Sequence, residues 1–408
     1  LSAILKGRDI VCLSFADWHG SWSTPQQVMS RLAQDNRVLY VDQPRSFLYL
    51  LKPPSAKGEG LWQGDPVQEV QPGLHVFHPP HCFLPTGGIP LPIASRALRL
   101  NGRLLAAQLK RVMKQLGFKD PILWNYSILH GEAIDFLSHA LHVYDIADVW
   151  EGYITNEHGR RLVRWEEERL TRAADIVFPS TEAIQESHLA WNPRHVLVPH
   201  GADFEHFAQA ADPAMPLPEE FAKIPRPIAG FVGVMDPARF DEELLFGLAQ
   251  ARPDWFFVLV GPALAGVNLT RLQTCANVYL TGNKPIEQLP NYLKGFDVGM
   301  IPYRINPLTN GIFPLKLMEY LSAEKPVVST PMTSVKAFGE VVYIAGDVRE
   351  FADALDAAVR EDGAPRRAQR QAVARQYSWE EIVRRKSEVV AAALAGNNPV
   401  VGSHGDTA

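Results

Sequence analysis

The chain has 408 residues, more than one ordinary core accommodates, so two domains are expected. Hydrophobic residues at 46% and charged residues at 21% exclude a disordered or fibrous chain, and a formal net charge of -5 offers no argument for nucleic acid. The three cysteines, Cys12, Cys82 and Cys275, are scattered without metal-ligand spacing, and no apolar run approaches the eighteen or so residues of a membrane span.

Asp9 to Phe15 reads as a buried strand, followed by the loop Asp17-Trp18-His19-Gly20-Ser21-Trp22. Thr24 as N-cap with Pro25 behind it predicts a helix to about Asp35, and Arg37 to Asp42 a second strand. Strand, loop, helix and strand without a hairpin turn make a βαβ unit, hence a parallel sheet. Ligands bind beyond the carboxyl ends of such strands, which places Asp17 and His19 on the functional edge. No G-x-G-x-x-G fingerprint follows the strand.

Apolar, irregular stretches follow at 47–54 and 81–93. Ser95 to Lys119 predicts a helix carrying Arg96, Arg99, Arg103, Lys110, Arg111, Lys114 and Lys119 without one acidic residue. Basic charge beside exposed apolar loops suits an anionic membrane surface; an ordinary helix with a solvated basic face fits the same pattern. Further strands are expected at Pro121–Tyr126, Leu141–Ile146, Asp175–Ser180 and His195–Gly201, with helices at Arg160–Ala173 and from Thr181. The proline-rich stretch 210–227 reads as a stiff linker.

Strands and helices then alternate again: strands at Ile228–Met235, Trp255–Pro262, Val278–Gly282 and Val298–Tyr303, helices at Asp241–Ala251 and Ile286–Lys294. Gly233 and Gly261 lie at strand ends, where a backbone must approach a ligand closely. The polar loop Thr309-Asn310-Gly311 feeds a helix Leu315–Leu321, with Pro314 at its start, and Pro326–Thr330 reads as a short strand. A loop entering a helix is an anion site, because its first backbone N–H groups point outward. Lys316 adds a full charge there, and Glu319, three residues on, can accept hydrogen bonds from sugar hydroxyls. A plain surface Lys–Glu pair is the competing explanation. Helices at Asp347–Arg360 and Pro365–Gln376 follow, then a last helix from the capping box Ser378/Glu381 to about Leu394, and a tail expected to be disordered.

Three segments carry a family resemblance: PLKLMEYLSAEKPVVST, VPHGADFEHF and FVGVMDPARFDEELL. Jointly they resemble GT-B glycosyltransferases, over Asp9 to about Leu394, and the N-terminal half resembles the bacterial exopolysaccharide and teichuronic-acid enzymes. The resemblance implies two Rossmann-like α/β/α domains facing a cleft. Residues 1–209 would bind the acceptor, 228–377 the nucleotide sugar, and helix 378–395 would return to the first domain. It implies a sugar transfer from a nucleoside diphosphate sugar, UDP-linked, to a polysaccharide or lipid-linked acceptor. The expected location is the cytoplasm, peripheral at the inner membrane face where the basic helix docks. The pattern departs from family four at one point. Where many retaining members carry E-x7-E, Glu319 is the second position and Gly311 occupies the first. Similarity to the glucuronosyltransferases of xanthan assembly implies a base in the N-terminal domain instead, and Asp148 is the matching residue, with Asp145 its rival.

No metal motif is present and no cofactor is expected, so the departing diphosphate must be met by cations and helix-end amides. Lys316 is the first candidate and Arg239 the second, although Arg239 could instead pair with Asp241 or Glu242. Pro314 and Leu315 would place amides near the phosphates, Glu319 would bind ribose as the resemblance implies, and Tyr303 or Met235 would flank the base. Asp148 would take the acceptor proton if the reaction inverts; Asp17 and His19 could also reach the cleft. Two rivals keep the fold: a nucleotide-sugar 2-epimerase, and a catalytically degenerate subunit that only binds.

Overall fold

Parallel strands buried on both faces are near-continuous apolar runs, and the described residues supply thirteen short strands. The computed structural model describes residues 4–51 and 64–397. It divides into two compact units: residues up to Val198 together with those from Val383 onward, and residues Pro199–Ile382. The stretch 199–209 therefore belongs to the second unit, although the prolines suggest a later boundary.

In the first unit the strands are β1 (Asp9–Leu13), β2 (Arg37–Val41), β3 (Val67–Gln71), β4 (Leu74–Phe77), β5 (Ile122–Asn125), β6 (Leu141–Ile146) and β7 (Ile176–Pro179). Its helices are α1 (Thr24–Leu32), α2 (Leu91–Leu116), α3 (Glu157–Ala173) and α4 (Glu182–His188). The sheet order is β3-β4-β2-β1-β5-β6-β7, parallel except for the β3–β4 pair. Leu13 stands opposite both Val41 and Asn125, so the β1, β2 and β5 carboxyl ends are level. Order reverses at β1, which puts the switch point of the sheet beside Phe15 to Trp22.

The second unit holds β8 (Ile228–Val232), β9 (Phe256–Val260), β10 (Val278–Gly282), β11 (Val298–Ile301), β12 (Val327–Ser329) and β13 (Val342–Ile344). Its helices are α5 (Phe204–Ala208), α6 (Glu242–Ala251), α7 (Leu269–Gln273), α8 (Leu289–Gly295), α9 (Pro307–Gly311), α10 (Leu315–Ser322), α11 (Thr333–Lys336), α12 (Val348–Arg360) and α13 (Ala364–Gln376). All six strands run parallel in the order β10-β9-β8-β11-β12-β13. The last helix, α14 (Trp379–Leu394), begins in this unit, and its residues from Val383 belong to the first. Within the first unit Ser387 Oγ accepts from the Leu5 N–H at 2.7 Å.

Strand glycines here are seats for rings. A Cβ on Gly230 would lie 2.2 Å from the Phe296 ring, and one on Gly299 would lie 2.5 Å from Tyr320. Each ring is fully buried, and burial of an aromatic side chain contributes about 1.5–3 kcal/mol.

Several local expectations are corrected. The N-cap of α1 is Ser23, whose N–H donates to Gln26 Oε1 at 3.0 Å; the helix ends at Leu32. The hairpin β3–β4 carries no strong strand pattern, because three of its five β3 residues are half-buried and two exposed. His195–Gly201 contributes one bridge, His195 to Val177, rather than a strand. Residues 307–311 form a short helix where a loop is expected, capped by Asn306, whose Oδ1 accepts from the Thr309 N–H at 3.0 Å. Helix α2 starts at Leu91 and stops at Gly117, which takes φ 67°. At α14, Ser378 Oγ accepts from the Glu381 N–H at 3.3 Å, as the capping pattern requires. The expected disordered tail lies outside the described residues beyond Asn397.

Candidate active site

The carboxyl edge of the second sheet is built around two glycines. Gly233 follows β8 at φ +142° and Gly261 follows β9 at φ +136°, conformations that L side chains rarely adopt. A Cβ on Gly261 would lie 2.1 Å from Gly233 O, so these two turns touch only because Gly261 lacks a side chain. A Cβ on Gly233 would lie 3.3 Å from Lys316 Cε and 3.4 Å from Nζ. The lysine therefore lies across the turn at the end of β8.

Helix α10 reaches this edge because Tyr320 anchors it. The Tyr320 hydroxyl accepts from the Val232 N–H at 2.8 Å, and its ring fills the notch at Gly299. Pro314 is the N-cap, so the amides of Leu315 and Lys316 have no partner within the helix. Lys316 Nζ donates to the Tyr303 hydroxyl. It also lies 4.6 Å from the Tyr303 ring centroid and 5.2 Å from that of Phe231. Lys316 and Glu319 are not an ion pair. The Glu319 carboxylate, half-buried, has no hydrogen-bond or ion-pair partner among the described residues. Desolvation pushes its pKa up, and the charges of Lys316 and His206 pull it back. His206 belongs to the VPHGADFEHF segment, where Asp203 caps α5 and Phe204 and Phe207 are buried.

Arg239 stands on the neighbouring loop. Its carbonyl accepts from the Arg304 N–H at 2.7 Å, and Phe240 bridges to Tyr303. Its guanidinium pairs with Asp236 at 3.1 Å, not with Asp241 or Glu242. The edge thus brings together Gly233, Gly261, Tyr303, Arg239, Lys316 and Glu319. Met235 and Tyr303 do not fit the base-flanking role, since they are only 2% and 3% exposed. Gly311 is buried at the end of α9 and, lacking a side chain, supplies no carboxylate itself.

In the first unit the candidate acids separate by their partners. Asp145 is buried and accepts from Lys386 Nζ at 2.5 Å and Trp124 Nε1 at 3.1 Å, so it is a buried structural ion pair rather than a rival base. Desolvation lowers the Lys386 pKa, and Asp145 opposes that shift. Asp17 binds Arg45 and accepts from the Gln43 N–H at 3.1 Å; desolvation first, then Asp42, raises its pKa. His19 is exposed and stacks on His78 with ring centroids 6.0 Å apart. His78 Nδ1 in turn lies 2.6 Å from Asp42 Oδ2. Asp148 is half-buried beyond β6; its oxygens accept from the Val149 N–H at 2.8 Å and the Tyr153 hydroxyl at 2.7 Å. The Phe15 and Trp150 rings, 4.8 Å apart, bring the β1 and β6 loops together, but Asp17 and Asp148 share no bond.

On α2 the cations are all exposed, and between them Ile93, Leu100 and Leu104 are 57%, 45% and 38% exposed. Arg99 and Arg103 lie over the Phe136 ring at 5.9 and 5.2 Å. No helix among the described residues is long and apolar enough to cross a membrane, and none of their His, Cys, Asp and Glu side chains form a metal-binding cluster.

Sequence reasoning assigns no role to Tyr320, Phe231, His206 or His78. The first three lie inside the segments that carry the resemblance, but the contacts of all four are made with residues distant in the chain.

Residues 226–361 match the family model "Glycosyl transferases group 1". The chain is 29% identical over 223 residues to the "Putative teichuronic acid biosynthesis glycosyltransferase TuaH" of Bacillus subtilis (strain 168), a match covering 50% of this chain and 55% of that protein. The chain thus spans about half the length of the curated relative it matches. Among solved structures, the sucrose-phosphate synthase of Thermosynechococcus elongatus superposes with a TM-score of 0.64 at 16% identity, covering 96% of this chain and all of that one. OtsA in its apo form gives 0.66 at 15%, covering 95% and 99%. HepE of Anabaena, solved in complex with UDP and glucose, gives 0.61 at 16%, covering 94% and 99%. These likenesses establish the fold: two parallel-sheet α/β domains of the GT-B glycosyltransferase type.

Proposed function

We propose that this chain, which carries a Glycosyl transferases group 1 domain on a GT-B fold, moves a sugar from a UDP-sugar to a glycan or lipid-linked acceptor in cell-surface polysaccharide synthesis. One observation carries the reading. Lys316 lies over the glycine turn at the end of β8, and one helical turn on Glu319 holds a carboxylate with no partner among the described residues. A cation at a helix start and a free acceptor beside it suit a diphosphate and the hydroxyls of a ribose.

The donor is read as UDP-linked because HepE, a structural neighbour, was solved with UDP, and the glycan acceptor is suggested by the TuaH likeness. In the transfer, the bond from the anomeric carbon to phosphate breaks and its electron pair leaves with the diphosphate. Lys316 and the first amides of α10 meet that charge, where fixed donors are most effective. The acceptor oxygen forms the new bond and gives its proton to Asp148, which the Val149 N–H and Tyr153 hydroxyl hold in orientation. The exposed apolar and basic face of α2 docks on the anionic inner face of the cell membrane, with its leucines entering the headgroup layer.

Calorimetric titration with UDP, GDP and ADP tests the donor. Saturable UDP binding at least tenfold tighter than that of the other two is expected. Absence of any nucleoside diphosphate binding would remove the transferase reading, and preference for GDP or ADP would change the donor.

A further inference from the structure

Met235 and Tyr303 are too buried to receive a nucleobase, so the donor site needs another wall. The glycine turns of the second sheet point to where it stands. Gly261 abuts Gly233, and the Gly261 N–H donates to the Gly282 carbonyl at 2.9 Å, so the ends of β8, β9 and β10 form one continuous rim. Beyond Gly282 the chain passes through Asn283, Lys284 and Pro285 into a short 3-10 turn, Ile286–Gln288. Two side chains on this rim are apolar and open: Leu264 after β9 is 47% exposed, and Ile286 after β10 is 53% exposed.

The loop after β10 is pinned at two points. Lys284 Nζ pairs with Glu220 at 3.4 Å and lies 5.1 Å from the Tyr292 ring centroid. The Ile286 carbonyl accepts from the Leu289 N–H and also, at 2.9 Å, from His206 Nε2. A carbonyl only accepts, so Nε2 carries a proton in that bond. The backbone of His206 is fixed in turn: its N–H donates to Asp203 Oδ1 at 3.2 Å.

Helix α5, which carries His206, packs against both α8 and α10. Desolvation raises the Glu319 pKa, and Lys316 and then His206 oppose that shift. One imidazole therefore borders both the carboxylate and the loop. Phe204 and Phe207 already bury the apolar side of α5. The half-buried imidazole adds something packing does not require, the placement of a loop eighty residues away.

We propose that His206 is a positioning residue of the donor site, fixing the Ile286 loop beside Glu319 so that the ribose and base of the donor meet one preformed wall. The proposal rests on the UDP-sugar reading above and deepens it. The base lies against Leu264 and Ile286, and His206 supplies order in the free protein rather than a contact with the nucleotide, which lowers the cost of binding.

His206→Ala removes the tie, and His206→Gln keeps an N–H near the place of Nε2. Hydrogen exchange is followed on the free proteins, and calorimetry is run with UDP, uridine and inorganic pyrophosphate. In His206→Ala the amides of 283–288 are expected to exchange about two- to tenfold faster, the span of one net hydrogen bond, with β8 and β9 unchanged. UDP and uridine are expected to bind about two- to tenfold more weakly and pyrophosphate as in wild type, with His206→Gln returning each to within about twofold. Unchanged loop exchange or unchanged UDP affinity in His206→Ala overturns the proposal. So does an equal loss for pyrophosphate, which would mean that the whole site is deformed. Faster loop exchange in the variant of a protein whose wild type binds no nucleoside diphosphate upholds the tie and fails the transferase reading instead.

Discussion

Replacing Lys316 with Met separates the phosphate role from packing. The Met side chain keeps an unbranched apolar stem across Gly233 and beside the rings of Phe231 and Tyr303. What is lost is the ammonium. In the free protein it contributes a hydrogen bond to Tyr303 and two cation–π contacts, the latter about 0.5–1 kcal/mol each where partly exposed. In the proposed complex it would supply a charge-assisted bond to the diphosphate, worth about 1.5–3 kcal/mol. At about 1.4 kcal/mol per tenfold, UDP affinity should fall by roughly 10- to 150-fold. Uridine, which lacks the phosphates, should bind the variant as it binds wild type. Calorimetry with both ligands reads the difference directly. Equal losses for uridine and UDP would mean that the substitution deforms the site, and unchanged UDP affinity would mean that the phosphates lie elsewhere.

Asp148→Asn preserves the shape and the bond from the Val149 N–H, with the Tyr153 hydroxyl turned to accept from the new amide, so UDP should still bind while transfer drops at least a hundredfold, the usual scale for general-base loss; full turnover in the variant would place the base on another residue. For the membrane face, reversing Arg96 and Lys114 to Glu should abolish co-sedimentation with anionic vesicles without altering UDP affinity, and wild-type binding that ignores anionic lipid would remove that surface from the account. A pH effect should come from Glu167, which burial and then the charge of Glu151 push to about 8 from an ordinary value near 4.5. Because the folded value is raised, its stabilising share is complete below about pH 4.5 and disappears as pH climbs through 8. Glu167→Gln should therefore flatten the fall in stability across that window, which is at most about 1.4 kcal/mol per pH unit for one group; parallel melting curves for the two proteins would contradict it.

The parallel sheets are legible in sequence because their strands are short apolar runs with no polar alternation to confuse them. DIVCL, RVLYV, IAGFV and FFVLV are buried almost throughout, as β-strands covered on both faces must be. The β3–β4 hairpin escapes that pattern, since VQEVQ lies at a half-exposed edge and only the Pro72-Gly73 turn announces it. Gly73 holds φ 79° with the carbonyls of Ala33 and Asn36 both 3.0 Å from where a Cβ would stand, which is a tertiary reason invisible in the local residues. Lys316 and Glu319 are legible because a proline-started helix has a readable N-terminus. Tyr303 as the partner of Lys316 is not, because that contact exists only once β11 has been laid beside α10 in space.

The carboxylates of the first unit show why a residue type at a strand end is not enough to name a base. Asp145 is matched to Lys386 inside the core, and taking a proton would strand the lysine charge in a buried place. Asp17 holds Arg45 and the Gln43 amide, so protonating it would release the loop after β2. Among the described residues Asp148 accepts from two neutral donors, a backbone amide and a phenol, which orient a carboxylate without cancelling its charge. It can accept a proton without breaking an ion pair. Gly311 has no side chain to supply an acid, so the proposed base is sought in the first unit, where among the described residues Asp148 is bonded to no cation while Asp17 and Asp145 each are.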